Sequence, residues 1–451
     1  MKVRFWATIL LMIVLTELCF AQRPNVIYIY ADDLGYGELG SYGQEKIKTP
    51  HLDKLAAEGM RFTQHYSSAP VCAPSRAMLM TGLHSGHAAI RGNYELGGFE
   101  DNNEGGQMPL PANSFTIAEL MKTAGYTTAM IGKWGLGMHT GTGDPLKHGF
   151  DYYYGYLCQK QAHNLYPSHL WENGKWDTLK NPAIKIHESI PMNAPDSFFT
   201  RYTGSEYAIS KMSDKTVEWI TGNQSKPFFL YLPFTGPHLS LQAPEEAVAE
   251  YRGQFEEEPY YGDKGYVANK YPRSTYAAMV TYFDKQVGRI MQLLQELGLD
   301  KNTIVIFSSD NGTTFDTGGY EGDFFNATAG LRGRKRDLYE GGIRVPLIVR
   351  WPMQIKAGSV SNHISAQYDM MATLADLVNT KAPANDGLSF FPTLMGKVQK
   401  QHEFLYFEFP EAQGQIAIRM GKWKAVKSNL KKNPKAEWEI YDLEKDPFEK
   451  N

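Results

Sequence analysis

The sequence predicts an α/β fold in which a large, mostly parallel sheet is sandwiched by helices, followed by a small antiparallel C-terminal sheet. Three observations predict it. Several continuous apolar runs of strand length end in a polar or glycine-rich turn. Segments of helical periodicity lie between those runs. Beyond about Lys397 the pattern changes to short strand-like stretches divided by turns.

Four runs carry the first observation. Val26–Ala31 runs into Asp32-Asp33, Thr127–Ile131 into Gly132-Lys133, Phe228–Leu232 toward Pro237-His238, and Thr303–Phe307 toward Ser309-Asp310-Asn311-Gly312. Continuous rather than alternating apolar character suits central strands covered on both faces. In open α/β sheets ligands bind beyond the carboxyl ends of the strands, where all four polar clusters fall. Four clusters of complementary charge at equivalent places make one shared site the economical reading.

The helices follow from their ends and their faces. Thr49-Pro50 starts one and Gly59 stops it. Thr116 to Glu119 fits a capping box ahead of Leu120 and Met121, with Gly125 ending that helix. The longest places Met279, Phe283, Val287, Ile290, Leu294 and Leu297 on one face before Gly298. Near the C-terminus, His402–Phe409, Gln415–Val426 and Glu437–Tyr441 read as short strands. The organisation expected is a leader over 1–21, a catalytic domain over 22–396 and a C-terminal α+β subdomain over 397–451.

The leader reading rests on Lys2 and Arg4 ahead of the apolar run Phe5–Leu15, which is too short to span a bilayer comfortably. Cleavage after Ala21 implies a periplasmic or secreted protein with no membrane span in its mature form. Cys19 lacks the small residues a lipid-attachment site would place before it. Two cysteines then remain, Cys72 and Cys158, so no disulfide framework holds the fold. With 46 Lys and Arg against 49 Asp and Glu, the net charge of -3 gives no general reason to expect nucleic acid as partner.

Neighbouring Asp32 and Asp33 would point to opposite faces of a regular strand. Both reach one ion only where the strand turns, and Gly35 and Gly37 give that freedom. Asp310-Asn311-Gly312 offers a second such turn. Each alone reads as an ordinary turn, but together they form an all-oxygen set suited to a hard cation. Cys72-Ala73-Pro74-Ser75-Arg76, followed by a helical stretch to Gly82, puts a thiol at a helix N-terminus, with Pro74 expected at the first helical position.

The Cys-x-Pro-Ser-Arg segment resembles the signature of the type I, formylglycine-dependent sulfatases of the alkaline-phosphatase-like superfamily. The resemblance covers nearly the whole mature chain, and its pieces arrive in the family's order. It implies that Cys72 is oxidised to formylglycine by a formylglycine-generating or anaerobic sulfatase-maturating enzyme. It further implies that Asp32, Asp33, Asp310 and Asn311, with the converted Cys72, hold calcium rather than magnesium. Arg76 matches the arginine that holds the formylglycine hydrate. Gly125–Thr128 through Gly132-Lys133-Trp134 resembles the second family signature and makes Lys133 a sulfate-binding or leaving-group residue. His238 matches the histidine near the bridging oxygen. Leu331-Arg332-Gly333-Arg334-Lys335, ahead of Glu340–Pro346, brings Lys335.

One departure stands out. The family usually places histidine after the Lys-Trp pair, and this chain has Gly135. His139 and His163 are the two candidates to fill the gap or contact substrate, and some bacterial carbohydrate sulfatases share the Gly-Lys-Trp-Gly variant. The segment Tyr152–Tyr156 through Tyr166, His169, Trp171 and Trp176 reads either as a sugar-binding wall or as an aromatic hairpin packed on the core. The activity expected is hydrolysis of sulfate esters, on a sulfated carbohydrate of galactose or N-acetylgalactosamine type. The alternatives are a non-catalytic sulfated-glycan-binding protein, motivated by Gly135, and a phosphatase or phosphodiesterase of the same superfamily. Ile440–Glu449 resembles a late family segment that commonly has more chain after it.

Overall fold

The computed structural model describes residues 23–451 apart from 98 and 102; the expected leader, with Cys19, lies outside the described residues. In chain order the strands are β1 (Asn25–Ala31), β2 (Met60–Tyr66), β3 (Phe99–Glu100), β4 (Asn103–Glu104), β5 (Thr127–Lys133) and β6 (Tyr152–Tyr156). They continue as β7 (His169–Glu172), β8 (Lys175–Thr178), β9 (Phe228–Pro233), β10 (Thr303–Ser309), β11 (Arg344–Arg350), β12 (Ser359–Ser361) and β13 (Ser365–Ala366). The last four are β14 (Leu405–Phe409), β15 (Gln415–Met420), β16 (Trp423–Lys427) and β17 (Glu439–Asp442).

Among the described residues an eleven-stranded sheet runs β12-β2-β11-β10-β1-β9-β5-β6-β7-β8, with β13 beside β2. Strands β10, β1, β9, β5 and β6 are mutually parallel neighbours, while β11 and β7 run against theirs. The four apolar runs of the sequence therefore form the parallel centre, and their carboxyl ends open on one edge. Along β1, Val26, Tyr28 and Tyr30 enter one core and Ile27, Ile29 and Ala31 the other. This two-sided burial is why the run is continuously apolar.

The helices Ala208–Asn223 and Pro272–Glu296 cover the first face; Cys72–Thr81, Ile117–Thr123 and Asp369–Leu377 cover the second. The capping box at Thr116 and Glu119 is formed in both directions, at 2.8 and 3.2 Å. The helix over Cys72–Thr81 starts two residues earlier than the sequence suggested, with Cys72 itself in the first turn. Pro74 is accommodated there because first-turn N–H groups lack intrahelical partners in any case.

The C-terminal sheet is antiparallel in the order β14-β15-β16-β17. The expected single strand Gln415–Val426 is a hairpin that turns at Gly421, whose φ is +55°. Leu405, Phe407, Phe409, Ala417 and Val426 pack with Tyr66, Val71, Leu338 and Ile343 of the larger body. The fully buried Lys424 bridges Glu340 at 3.0 Å and Glu449 at 2.9 Å.

His65 on β2 is buried, with Nδ1 2.9 Å from the Ser365 hydroxyl. Burial pushes it down to about 3, so the folded protein keeps it neutral where the unfolded chain would protonate it. Its contribution is intact above the ordinary imidazole range and is lost as pH falls, by about 1.4 kcal/mol per pH unit at most. In urea unfolding between pH 6.5 and 4, stability of His65→Gln is expected to fall less steeply than wild type; parallel slopes would contradict this.

Candidate active site

At the carboxyl ends of β1, β5, β9 and β10 six charged side chains come together, Arg76 from the helix Cys72–Thr81 and Lys335 from the loop before β11 among them. After β1 the chain turns at Asp33, whose φ of +64° lies in the left-handed region. That turn is how two successive carboxylates face one place. The Asp33 amide donates to Asp310 Oδ1 at 3.0 Å, tying the turn after β1 to the one after β10. Asn311 Nδ2 donates to Asp33 Oδ1 at 2.7 Å.

Cations enclose these acids. Lys133, at the end of β5, places Nζ 2.7 Å from Asp32 Oδ2. Lys335 places Nζ 2.8 Å from Asp33 Oδ2 and 3.3 Å from Cys72 Sγ. Arg76, one helical turn after Cys72, grips Asp310 Oδ2 through Nε at 3.1 Å and a terminal nitrogen at 2.7 Å. Its other terminal nitrogen donates to the Lys133 carbonyl at 2.8 Å. Cys72 Sγ lies 3.4 Å from Asp32 Oδ1 and 3.8 Å from Asp33 Oδ1. All six charged groups are buried or nearly so.

Three carboxylates and three cations balance in charge, but not evenly in space. Burial opposes the Asp32 charge, yet Lys133, Arg76 and Lys335 hold its carboxyl well below the usual range. Asp310 behind it is pushed upward by burial and by the Asp32 charge, while Arg76 at 2.7 Å keeps it ionised. Burial and the Asp310 charge raise the Cys72 thiol, so as a thiol it is a poor nucleophile.

The donors fit a hard divalent ion. Asp32, Asp33, Asp310 and Asn311 offer only oxygens, and Asn311 Oδ1 is buried with no hydrogen-bond partner. An orphaned buried carbonyl oxygen beside crowded carboxylates is what a cation would satisfy.

His238 stands at the open side, its Nε2 3.3 Å from Lys335 Nζ and 3.5 Å from Asp33 Oδ2. Its Nδ1 contacts the Leu239 carbonyl at 2.5 Å, which assigns the proton to Nδ1 and leaves Nε2 to accept from Lys335. Burial and the neighbouring lysine lower His238 to about 4. In this setting His238 is neutral, and Lys335 holds the proton.

The two histidines considered in place of Gly135 part company. His163 stacks on His238 with ring centroids 4.7 Å apart, its carbonyl held by the Ser240 amide at 3.1 Å. Its Nδ1 is buried without a partner. His139 instead contacts Asp144 at 2.9 Å, lies against Trp171 and reaches Tyr153, so it belongs to the flank of β6 and β7. Gly135 has a φ of +72°, and a Cβ there would lie 2.9 Å from Gln159 Cγ. A histidine at 135 would need a strained backbone and a displaced Gln159.

The aromatic segment is core rather than a wall. Tyr153, Tyr154 and Tyr156 are fully buried, with the Tyr154 and Tyr156 hydroxyls donating to Asp177 and the Asn164 carbonyl at 2.6 Å. Trp176 alone in that group is half exposed, stacked on His169. Two residues that sequence reasoning did not single out enclose the site: Tyr266, 5.4 Å from the His163 ring and 6.3 Å from His238, and His187, 5.9 Å from His163. Tyr266 sits in an irregular loop with no motif to mark it.

Comparison with known proteins agrees with this geometry. A family model described as Sulfatase matches residues 24–380, and one described as N-sulphoglucosamine sulphohydrolase, C-terminal, matches 333–451. The chain is 30% identical over 426 residues to the N-acetylgalactosamine-6-sulfatase of Mus musculus, covering 90% of this chain and 72% of that protein. It is also 30% identical over 441 residues to the steryl-sulfatase of Mus musculus, covering 85% and 67%. The crystal structure of Ps i-CgsB in complex with k-i-k-neocarrahexaose superposes with a TM-score of 0.76 at 28% identity, covering 95% of this chain and 88% of that one.

Because the site's charges already balance, a divalent cation or a sulfate ion taken up alone unbalances it, while the two together offset each other. Calcium at a hundredfold excess over its Kd is expected to add about 2.7 kcal/mol of stability, and sulfate is expected to tighten calcium binding reciprocally. Thermal unfolding with each ion and with both checks this; a joint shift no larger than the sum of the separate shifts would contradict it.

Proposed function

The chain belongs to the sulfatase family and is a sulfuric ester hydrolase, and from that premise we propose that it removes sulfate from a sulfated carbohydrate through residue 72, oxidised to formylglycine, beside a bound calcium ion. The observation that carries the proposal is the Cys72 side chain lying between Asp32, Asp33 and Lys335. Two of the matched proteins, an N-acetylgalactosamine-6-sulfatase and one bound to a carrageenan-type hexaose, favour a galactose-type sugar.

The hydrated aldehyde would supply the oxygen nucleophile, and calcium, held by Asp32, Asp33, Asp310 and Asn311, would draw charge from the sulfate oxygens. This chain's residues do the remainder. Lys133 and Lys335 are paired with the acids that would hold the cation, so with a cation bound their ammonium groups would be available to the sulfate. Their two charges steady the equatorial oxygens of the transferring group. Arg76 fixes Asp310 and, through the Lys133 carbonyl, the end of β5. Lys335 Nζ donates to His238 Nε2 at 3.3 Å, and that pair serves the departing sugar oxygen. The net change is one S–O bond to the sugar broken and one water consumed, giving the alcohol, sulfate and a proton.

The proposal includes export and a maturase that oxidises Cys72 before or during folding, since the buried thiol is closed to a large enzyme afterwards. Among the described residues no helix is long and apolar enough to cross a membrane.

Sulfate release from defined sulfated galactose and N-acetylgalactosamine probes should exceed phosphate release from matched phosphate esters. Lys133→Ala and Lys335→Ala should each lower kcat by about 10²–10³-fold, and Cys72→Ala should abolish turnover. Preferred hydrolysis of the phosphate esters, or full activity in Cys72→Ala, would overturn the reading.

A further inference from the structure

The basic loop Arg332–Arg336 contributes one residue, Lys335, to the site described. The structure disposes of its other cations in different ways. Arg332 donates to the Tyr441 hydroxyl at 2.6 Å and pairs with Glu439 at 3.2 Å, docking the C-terminal sheet. Arg334 is paired with both Asp316 and Asp323. Arg336 is exposed, and no carboxylate lies within ion-pair distance of it among the described residues; its guanidinium lies over the ring of Phe315, 5.8 Å away, and the half-buried Glu411 carboxylate feels its charge from beyond that distance.

The backbone at Arg336 is nevertheless fixed in an unfavourable conformation. Its φ is +79°, a region that costs a residue with a side chain about 1 kcal/mol or more. Its amide donates to the Pro70 carbonyl at 2.9 Å, two residues before Cys72, and its carbonyl accepts from Gln415 Nε2 at 2.7 Å. Immediately before it, the Lys335 amide is held by the Thr313 carbonyl at 2.8 Å, two residues from Phe315. The loop is thus pinned on both sides, and of the consecutive residues 335 and 336, with Cα atoms about 3.8 Å apart, the first reaches Cys72 and the second is exposed.

Phe315, 41% exposed, supplies an apolar surface at that guanidinium, which has no ion-pair partner among the described residues. An aromatic ring with an adjacent unpaired guanidinium suits a sugar face bearing a negative substituent. Resting on the sulfated-carbohydrate reading above, we infer that Arg336, with Phe315, forms a binding subsite for a second anionic substituent, sulfate or carboxylate, on the sugar whose first sulfate occupies the catalytic site. Substrates carrying two negative groups are then preferred over those with one.

Binding to Cys72→Ala protein tests this without turnover. The probes are N-acetylgalactosamine 4-sulfate and 6-sulfate, the 4,6-disulfate, and a disaccharide joining glucuronic acid to N-acetylgalactosamine 6-sulfate, measured by calorimetry. At least one doubly charged probe should bind about tenfold more tightly than either monosulfate, and which one does so identifies sulfate or carboxylate as the second group. Adding Arg336→Gln should bring that ratio close to one, and Arg336→Lys should restore part of it. If monosulfates bind but the doubly charged probes show no advantage, or the advantage survives Arg336→Gln, the subsite is wrong while the sulfated-sugar reading stands. If no probe binds, both are wrong.

Discussion

Everything at this site depends on keeping three buried carboxylates close to one another. Asp32, Asp33 and Asp310 repel, and each has been taken from water, so the protein has to surround them with positive charge. It does so with Arg76 fixed behind and with Lys133 and Lys335 in front. The arginine is bidentate and fully buried, a structural partner. Each lysine is held mainly by a carboxylate that has a second potential partner, a cation, and is therefore available to an anion once that cation binds. A charge-balanced cluster of this kind would suit a cation and an anion taken up together better than either alone.

The fold imposes that cluster through a simple geometric device. Parallel strands deliver their carboxyl ends to one edge, and each of β1, β5 and β10 ends in a residue of the set or just before one. The left-handed turn at Asp33 converts the strand's alternation into two carboxylates facing the same place. The helix carrying Cys72 is sealed beneath by the same core that covers β1, which leaves the thiol buried and its ordinary chemistry suppressed. The C-terminal sheet packs on the same body and is tied to it by Lys424, which pairs with Glu340.

Much of this was legible in the sequence because the signals were local. Continuous apolar runs marked the buried strands, Thr116 and Glu119 marked a helix start, Asp-Asp and Asp-Asn-Gly marked the turns that carry chemistry, and Cys-x-Pro-Ser-Arg marked the helix N-terminus that joins them. What was not legible depended on tertiary neighbours. The stack of His163 on His238 and the enclosure by Tyr266 and His187 join residues from separate loops. His139 sits near Lys133 in sequence but is drawn to Asp144, whereas His163 is brought back by its bond to Ser240. Gly135 looks like a loss in the sequence; in the structure its positive φ and the close approach of Gln159 make glycine the residue that fits. The tyrosine-rich segment could not be divided into wall and core by composition, because Tyr suits both until its hydroxyl finds a buried partner.

The central claim is that position 72 works as an oxidised side chain among cation-ready oxygens, not as a thiol. The most direct measurement is mass spectrometry of the peptide spanning Cys72, taken from protein that releases sulfate and was made in a host able to mature it. The account predicts the aldehyde at that position in proportion to specific activity. Fully active protein carrying only the unmodified thiol would contradict it.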